Sequence, residues 1–430
     1  CRSDAISIST FLMFDKSAKA NLQFSPTRRF AAVNKAIILL FILFIGPPVF
    51  AKIVDPTQVG AFQHSHYLPL LKGKRVGLVV NQTSLVGQTH LVDFLLENKI
   101  NVRRVFAPEH GFRGNLDAGA VVKSGVDSQT GLPVVSIYGK HKKPSSSALT
   151  DLDIILFDIQ DVGVRFYTYL SSMHYMMQAA QEHNLAFMVL DRPNPNIRFV
   201  AGPLLKDEFR SFVGMHPIPV LHGMTLGELA RMIKGEGWLQ IEGSSNKKSN
   251  EPLADLALTV VPVQDYQRTD TYPLPVKPSP NLPNSQAISL YPSLCLFEGT
   301  AVSVGRGTGF PFQLLGHDKV HLGDFSFTPI STPGAALYPK LQDKLLRGLD
   351  LRQSAIQGFN LNLLEAYHQA FKQQKQAFFT SPKFFDKLAG TDQIRLSLEQ
   401  GRSLAELEQS WQTDIDAFKT RRRPYLLYPE

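Results

Sequence analysis

The chain has 430 residues, of which 43% are hydrophobic and 19% charged, a composition that excludes an intrinsically disordered or fibrous protein. Residues 1–51 carry six basic and two acidic side chains of a chain with net charge +8, so the remainder has a net charge of +4 and does not indicate a nucleic-acid-binding protein. Only Cys295 follows residue 51, which excludes a disulfide within that part of the chain.

The N-terminal segment has the pattern of a secretory signal peptide. The apolar run Ala36–Ile45 follows Lys35 and is broken by Gly46, and Ala51 provides a small residue for cleavage. A membrane anchor is the alternative, but the run is shorter than the roughly 20 residues needed to span a bilayer. We therefore predict an upstream extension over residues 1–32, cleavage after Ala51, and a secreted or periplasmic protein without a stable membrane anchor.

Four short apolar runs in the first half of the chain each end at a dense polar cluster. Continuous runs of this length, rich in β-branched residues, favour strands that are buried on both faces of a sheet. Ligands of open α/β sheets bind beyond the carboxyl ends of the strands, so the four clusters are predicted to face one crevice. The runs are Arg75–Val80, Val102–Phe106, Asp153–Phe157 and Leu185–Leu190, followed by clusters that begin at Asn81, Ala107, Asp158 and Asp191.

Helical patterns alternate with these strands, which indicates a parallel sheet covered by helices on both faces. We assign residues 54–250 to this α/β domain, and the polar, aperiodic segment 241–252 is predicted to be a surface loop near its end. The helices are predicted over Thr89–Asn98, Ser171–His183 and Thr225–Gly235.

The second half of the chain has shorter and more varied patterns. Leu258–Val263 and Ala301–Val304 favour strands, whereas the last hundred residues are mostly helical. Ser403 and Glu406 have the spacing of a capping box at a helix start. Residues 255–430 are therefore predicted to form a smaller α+β domain. One apolar face is expected on its last helix, from Leu404, Leu407, Trp411, Ile415 and Phe418.

Glu109 and His110 lie on a stiff turn beyond the second predicted strand. Pro108 holds the chain extended and Gly111 permits a tight turn. A carboxylate beside an imidazole at this place is suited to general acid or base catalysis. The simpler alternative is an acidic residue on a solvated loop.

Charged and aromatic side chains follow the third strand. Asp158 and Asp161 are candidates for paired carboxylates, and Arg165 for a bidentate clamp on a substrate carboxylate. An internal ion pair between Asp161 and Arg165 is the alternative. The segment Phe166–Tyr169 contains three aromatic residues, which suit sugar stacking and a hydrophobic core equally well.

The polar cluster after the fourth strand is rigid, and no motif in the chain indicates a cofactor or metal. Prolines flank Asn194, so Asp191, Arg192 and Asn194 are pre-organised for hydrogen bonding. The glycines of segment 305–309 lack the lysine of a phosphate-binding loop. Neither a His-Glu-x-x-His nor a Cys-x-x-Cys motif occurs. We predict neither a cofactor nor a metal.

The order of these motifs over residues 54–430 resembles the exo-β-N-acetylmuramidase NamZ family, formerly the domain of unknown function 1343. The long block Phe157–Tyr169 makes the resemblance specific. The chain departs from the family pattern at residues 196–198 and 317–319. The other matching segments are Asn81–Ser84, Ala107–Gly114, Ser136–Gly139, Asp191–Pro195, His222–Thr225, Pro278–Asn281, Phe297–Thr300, Gly305–Thr308 and Arg423–Tyr428.

The resemblance implies a fold and a reaction. The fold would be a Rossmann-like N-terminal domain with a smaller C-terminal domain and a cleft between them. The reaction would release N-acetylmuramic acid from the non-reducing end of peptidoglycan fragments, so the partners would be muropeptides or disaccharides. A glycan-binding protein without turnover and a hydrolase or esterase of another cell-wall bond are the competing interpretations.

The resemblance also assigns roles. Glu109 is the leading catalytic carboxylate, with His110 beside it. Asp158, Asp161 or Glu298 would be the second group, unless the 2-acetamido group of the sugar is the nucleophile. Arg165 and Arg306 are the candidates for binding the lactyl carboxylate. The other predicted substrate-binding residues are Asn81, Arg113, Tyr167, Asp191, Arg192, Asn194, His222 and Asn281.

Overall fold

The four apolar runs lie side by side in one sheet of a computed structural model, which describes residues 52–113, 124–239 and 255–429. The predicted signal peptide and the predicted loop 241–252 lie outside these residues. The strands of this half are β1 Arg75–Val80, β2 Leu85–Val86, β3 Thr89–His90, β4 Asn101–Ala107, β5 Gly125–Val126, β6 Pro133–Ser136, β7 Ile154–Asp158, β8 Ala186–Leu190 and β9 Leu258–Val261.

The main sheet has seven strands in the described residues, in the order β5-β6-β4-β1-β7-β8-β9. All neighbours are parallel except β5 and β6. From β6 to β9 this is the doubly wound order of dinucleotide-binding folds. The chain adds strands β4 and β6 on one side of β1 and strands β7, β8 and β9 on the other, so the strand order reverses between β1 and β7. The predicted α/β class is confirmed, and a topological switch point lies at the ends of β1 and β7.

Alternate side chains of strand β1 enter cores on opposite faces of the sheet. Val76, Leu78 and Val80 belong to one buried cluster, whereas Val79 belongs to the other. Burial on both faces explains why the strand is a continuous apolar run rather than an alternating one. The helices of this half are α1 His64–Leu71, α2 Leu91–Glu97, α3 Tyr169–Glu182 and α4 Leu226–Gly235.

A three-stranded antiparallel sheet and a group of helices follow. Its strands are β10 Leu314–His317, β11 Phe325–Phe327 and β12 Leu346–Asp350, in the order β10-β12-β11. The helices are α5 Ser285–Leu294, α6 Asn362–Gln373, α7 Pro382–Ala389, α8 Gln393–Gln400, α9 Leu404–Ser410 and α10 Gln412–Arg422. No helix in the described part of the chain is long and apolar enough to cross a membrane.

Three sequence predictions need correction. Ala301–Val304 is not a strand: Ser303 alone of these residues pairs, in an isolated bridge with Gly316, and the Lys340 ammonium group binds the carbonyl oxygens of Thr300 and Val302. Strand β9, assigned to the second domain, pairs in parallel with β8. The predicted last helix is divided at Trp411 into α9 and α10. The domain limits 54–250 and 255–430 stay predictions.

Candidate active site

A cavity of about 370 Å³ lies at the carboxyl end of the main sheet. Loops that follow β4, β6 and β7 form one side of it. The other side comes from α5, the turn after it and helix α7. The cavity therefore lies beside the switch point and is closed by the C-terminal half of the chain.

Glu109 enters the cavity from a turn directly after β4. The amide of Gly111 donates to the carbonyl oxygen of Pro108 at 3.0 Å, which closes the turn. His110 has a φ of 67°, a left-handed conformation that non-glycine residues seldom adopt. His110 is also buried and lines the cavity. Such backbone strain is typical of functional sites, because the surrounding structure must hold it in place.

Two hydroxyl groups hold the Glu109 carboxylate. Tyr138 Oη donates to Oε1 at 2.8 Å, and Thr168 Oγ1 donates to Oε2 at 2.9 Å. Thr168 is the N-cap of α3, so the carboxylate lies near the positive end of a helix dipole. Burial, together with the charge of Glu109, raises the pKa of Tyr138, which keeps its hydroxyl group protonated as a donor.

Glu298 and Arg306 form an ion pair in the same cavity. Arg306 Nη1 donates to both carboxylate oxygens of Glu298 at 3.1 Å. The nearby negative charge raises the pKa of Arg306. The ammonium group of Lys340 fixes the segment that carries Glu298, because it donates to the carbonyl oxygens of Phe297, Glu298, Thr300 and Val302.

Six of the predicted site residues line this cavity. Tyr167 and Asn281 each make one hydrogen bond that shapes the wall: Tyr167 Oη donates to Pro278 O at 2.8 Å, and Asn281 Nδ2 donates to Ala335 O at 2.7 Å. The six residues that the structure brings together are Glu109, His110, Tyr167, Asn281, Glu298 and Arg306.

Asp158, Arg192 and Asn81 do not line the cavity, because they fill the switch point beside it. Arg192 donates from Nε and Nη2 to the two carboxylate oxygens of Asp158 at 2.5 and 2.9 Å, and both side chains are buried. Asn81 Oδ1 accepts from the amide and hydroxyl groups of Thr83. Asp158 and Arg192 therefore satisfy each other, and Asn81 binds its neighbour Thr83, where a dinucleotide-binding fold would hold its ligand.

Asp191, Asn194 and His222 are buried away from the cavity. Asp191 accepts hydrogen bonds from Thr225, Gly227 and Tyr428, and burial raises its pKa to about 6. Asn194 Nδ2 donates to a backbone carbonyl, and His222 Nδ1 accepts from a backbone amide. Burial lowers the pKa of His222 to about 3, so the ring is neutral near pH 7. Their contacts indicate structural roles.

Arg165, Asp161 and Arg113 also lie outside the lining. Arg165 is 1% exposed and donates to four backbone carbonyl oxygens. Asp161 accepts from Gly163 N at 2.6 Å, and burial raises its pKa to about 7. The alternative ion pair between Asp161 and Arg165 is absent from the described residues. Arg113 forms a bidentate pair with Asp127.

The sequence analysis missed the two residues that hold Glu109. Tyr138 and Thr168 lie inside matching segments, yet neither had a chemical signal of its own. The cavity also contains Phe212, Tyr169 and Tyr291, of which only Tyr169 was considered. Within the described ranges, no three His, Cys, Asp or Glu side chains lie close enough together to hold a metal ion.

Comparison with known proteins decides the family. Residues 76–286 match the model of the N-terminal domain of exo-β-N-acetylmuramidase NamZ, and residues 289–428 match its C-terminal domain. The chain belongs to the NamZ family. It is also 40% identical over 390 residues to the peptidoglycan β-N-acetylmuramidase NamZ of Bacillus subtilis, covering 84% of this chain and 89% of that relative.

Two crystal structures of family members have the same fold. One is the DUF1343 family protein BF0379 of Bacteroides fragilis, 44% identical, with a TM-score of 0.76 over 86% of this chain and 99% of that one. The other, BF0371 from the same organism, is 28% identical, with a TM-score of 0.71 over 86% of this chain and 98% of that one. The family model divides near residue 287, after β9, so β9 falls within its N-terminal part.

Proposed function

We propose that this protein is an exo-acting β-N-acetylmuramidase, a glycosidase that releases N-acetylmuramic acid from the non-reducing end of peptidoglycan fragments during cell-wall turnover. The observation that carries the proposal is the Glu109 carboxylate, held by two hydroxyl groups in a cavity that also contains a second carboxylate. Membership of the NamZ family and the name of the Bacillus relative support the same reaction.

Glu109 is suited to protonate the leaving oxygen of the glycosidic bond. A hydroxyl group donates to an ionised carboxylate and accepts from a protonated one, so Tyr138 and Thr168 fit both states of Glu109. A residue that gives a proton away and later regains it needs such an environment. His110 lies next to it on the strained turn, within the same lining.

Glu298 is the better placed of the three candidates for the second group. Asp158 is neutralised by Arg192 at the switch point, and Asp161 does not line the cavity. Glu298 lines it and is oriented by Arg306. Its carboxylate would stabilise the developing positive charge at the anomeric centre, or orient the 2-acetamido group of the sugar as nucleophile.

The decisive experiment is incubation of the purified protein with the disaccharide N-acetylmuramyl-β-1,4-N-acetylglucosamine. Mass spectrometry should detect free N-acetylmuramic acid and N-acetylglucosamine in equal amounts. Binding without release would indicate a glycan-binding protein. Removal of an N-acetyl group from this disaccharide, or of the peptide from a muropeptide, with the glycosidic bond intact, would indicate a hydrolase of another cell-wall bond.

Arg306 is the candidate cation for the lactyl carboxylate, since it lines the cavity and Arg165 does not. Replacing Arg306 with methionine should weaken binding of N-acetylmuramic acid by about 1.5–3 kcal/mol, the range of a charge-assisted hydrogen bond. Binding of N-acetylglucosamine, which has no carboxylate, should change much less. Calorimetry with both sugars measures the two affinities. An equal loss of affinity for both would mean that Arg306 only orients Glu298 and does not bind the lactyl carboxylate.

We also propose that the protein is exported, from the signal-peptide pattern that ends at Ala51. The mature protein is expected to begin at Lys52 and to be secreted or periplasmic. Intact-mass measurement of protein collected from the periplasm or medium tests this. Recovery from the membrane with Ala36–Ile45 still attached would indicate an anchor instead.

A further inference from the structure

Carboxylates outnumber arginines in the described lining of the cavity. Glu109 and Glu298 are the carboxylates, and Arg306 is the arginine that faces them. Arg306 is paired with Glu298, and the nearby Lys340 donates to backbone carbonyl oxygens, so a further positive charge would favour a substrate carboxylate there. An anionic group entering a partly buried site needs such a charge, because it loses solvation there.

Lys142 is a cation that does not line the cavity but packs on one of its aromatic residues. Its Nζ lies 4.8 Å from the centroid of the Phe212 ring, and Phe212 lines the cavity. Phe212 in turn packs on Tyr175 and on Tyr138, with centroids 6.3 and 6.1 Å away, so the ring is held from two directions. Tyr138 is the residue that donates to Glu109. The rings of Phe212 and Tyr138 thus connect Lys142 to Glu109.

The ammonium group of Lys142 has no acidic partner among the residues that the structure describes. In residues 52–113, 124–239 and 255–429 it forms no ion pair, whereas its neighbour Lys143 pairs with Glu182. Lys142 is half-buried on its aromatic support, whereas Lys140 is exposed. An ammonium group that is partly desolvated over a ring and lacks a carboxylate has its donors available for a ligand.

We propose that Lys142, seated on Phe212, binds a carboxylate of the substrate at the edge of the cavity and thereby adds to its specificity. The inference rests on the proposed function and deepens it. The carboxylate is either the lactyl group of a peptide-free muramic acid or, where that group is joined to a stem peptide as an amide, a carboxylate of the peptide. Both have the same chemistry, and the substrate used distinguishes them.

The test compares Lys142→Met with Lys140→Met as a matched control, which removes an equal charge two residues away without contact with Phe212. The substrates are the peptide-free disaccharide, its lactyl methyl ester, and the disaccharide carrying L-alanyl-D-glutamate. Lys142→Met should lower kcat/KM by about tenfold on one of the carboxylate substrates, mainly through KM, and leave the methyl ester unaffected. Lys142→Arg should retain most of the activity, and added salt should narrow the difference.

The pattern of losses identifies the source of the carboxylate. A loss on the peptide-free disaccharide assigns the lactyl group, and a loss confined to the dipeptide substrate assigns the stem peptide. An equal loss on the methyl ester, or a loss that Lys140→Met reproduces, would overturn the proposal, as would no loss on any substrate.

If the wild type released no N-acetylmuramic acid, the proposed function would fail separately. Calorimetry of Lys142→Met with N-acetylmuramic acid, its methyl ester and N-acetylmuramyl-L-alanyl-D-glutamate would then test the contact directly.

Discussion

Replacing Glu109 with glutamine is expected to lower turnover of the natural disaccharide by at least ~10²- to 10⁴-fold, the usual contribution of a general acid. Glutamine has nearly the same size: its carbonyl oxygen can accept from one of the hydroxyl groups of Tyr138 and Thr168, and its NH2 group can donate to the other. The variant therefore loses the transferable proton and keeps the shape of the site. Binding of N-acetylmuramic acid should change little, so kcat should fall much more than KM rises.

Two comparisons make this prediction specific to acid catalysis. A nitrophenyl glycoside has a leaving group that needs little protonation, so the loss on that substrate should be smaller. Glu97→Gln, which changes an exposed carboxylate at the end of α2, should leave activity unchanged. Near-normal turnover by Glu109→Gln would show that Glu109 is not the general acid. Glu298, the other carboxylate in the described lining, would then be the leading candidate.

The main sheet could be predicted from the sequence because its signal is local. A strand buried on both faces is a continuous apolar run, and β1 has the predicted bounds Arg75–Val80. The segment Ala301–Val304 has a similar composition, but its neighbouring carbonyl groups bind Lys340, which lies about 40 residues away in the chain. A local pattern contains no information about such a partner.

The site was predicted in part for the same reason. The strand ends predicted a crevice at the carboxyl edge of the sheet, and the cavity that Glu109 lines lies at this edge. Which polar residues face a ligand depends on contacts across the chain, such as the Arg192 guanidinium on Asp158, 34 residues away. Tyr138 and Thr168 reach Glu109 over 29 and 59 residues. The sequence therefore indicated the chemistry at this edge but could not separate residues of the cavity from those of the switch point.

Arg165 is the residue for which the structure most changes the expected result of a mutation. The sequence left it open whether Arg165 is a substrate clamp or the ion-pair partner of Asp161, yet its Nη1 donates to Pro203 O and Ile218 O at 2.7 and 2.8 Å. Its Nη2 donates to Leu388 O and Ala389 O at 3.2 and 2.6 Å, at the C-terminal end of α7. Burial lowers its pKa to about 9, so the guanidinium remains charged at neutral pH.

Arg165→Met is expected to lower the free energy of unfolding by about 3–5 kcal/mol, because it leaves several buried carbonyl groups without a donor at once. Helix α7 brings Leu388 to the cavity, so binding of N-acetylmuramic acid and N-acetylglucosamine should weaken together. Urea unfolding measures the stability. Arg75→Met is the matched control, since Arg75 pairs with Asp153 at the surface and should contribute less than about 1 kcal/mol. If Arg165→Met unfolded like this control and selectively lost N-acetylmuramic acid, Arg165 would be a ligand contact rather than the link between α7 and the loops at Pro203 and Ile218.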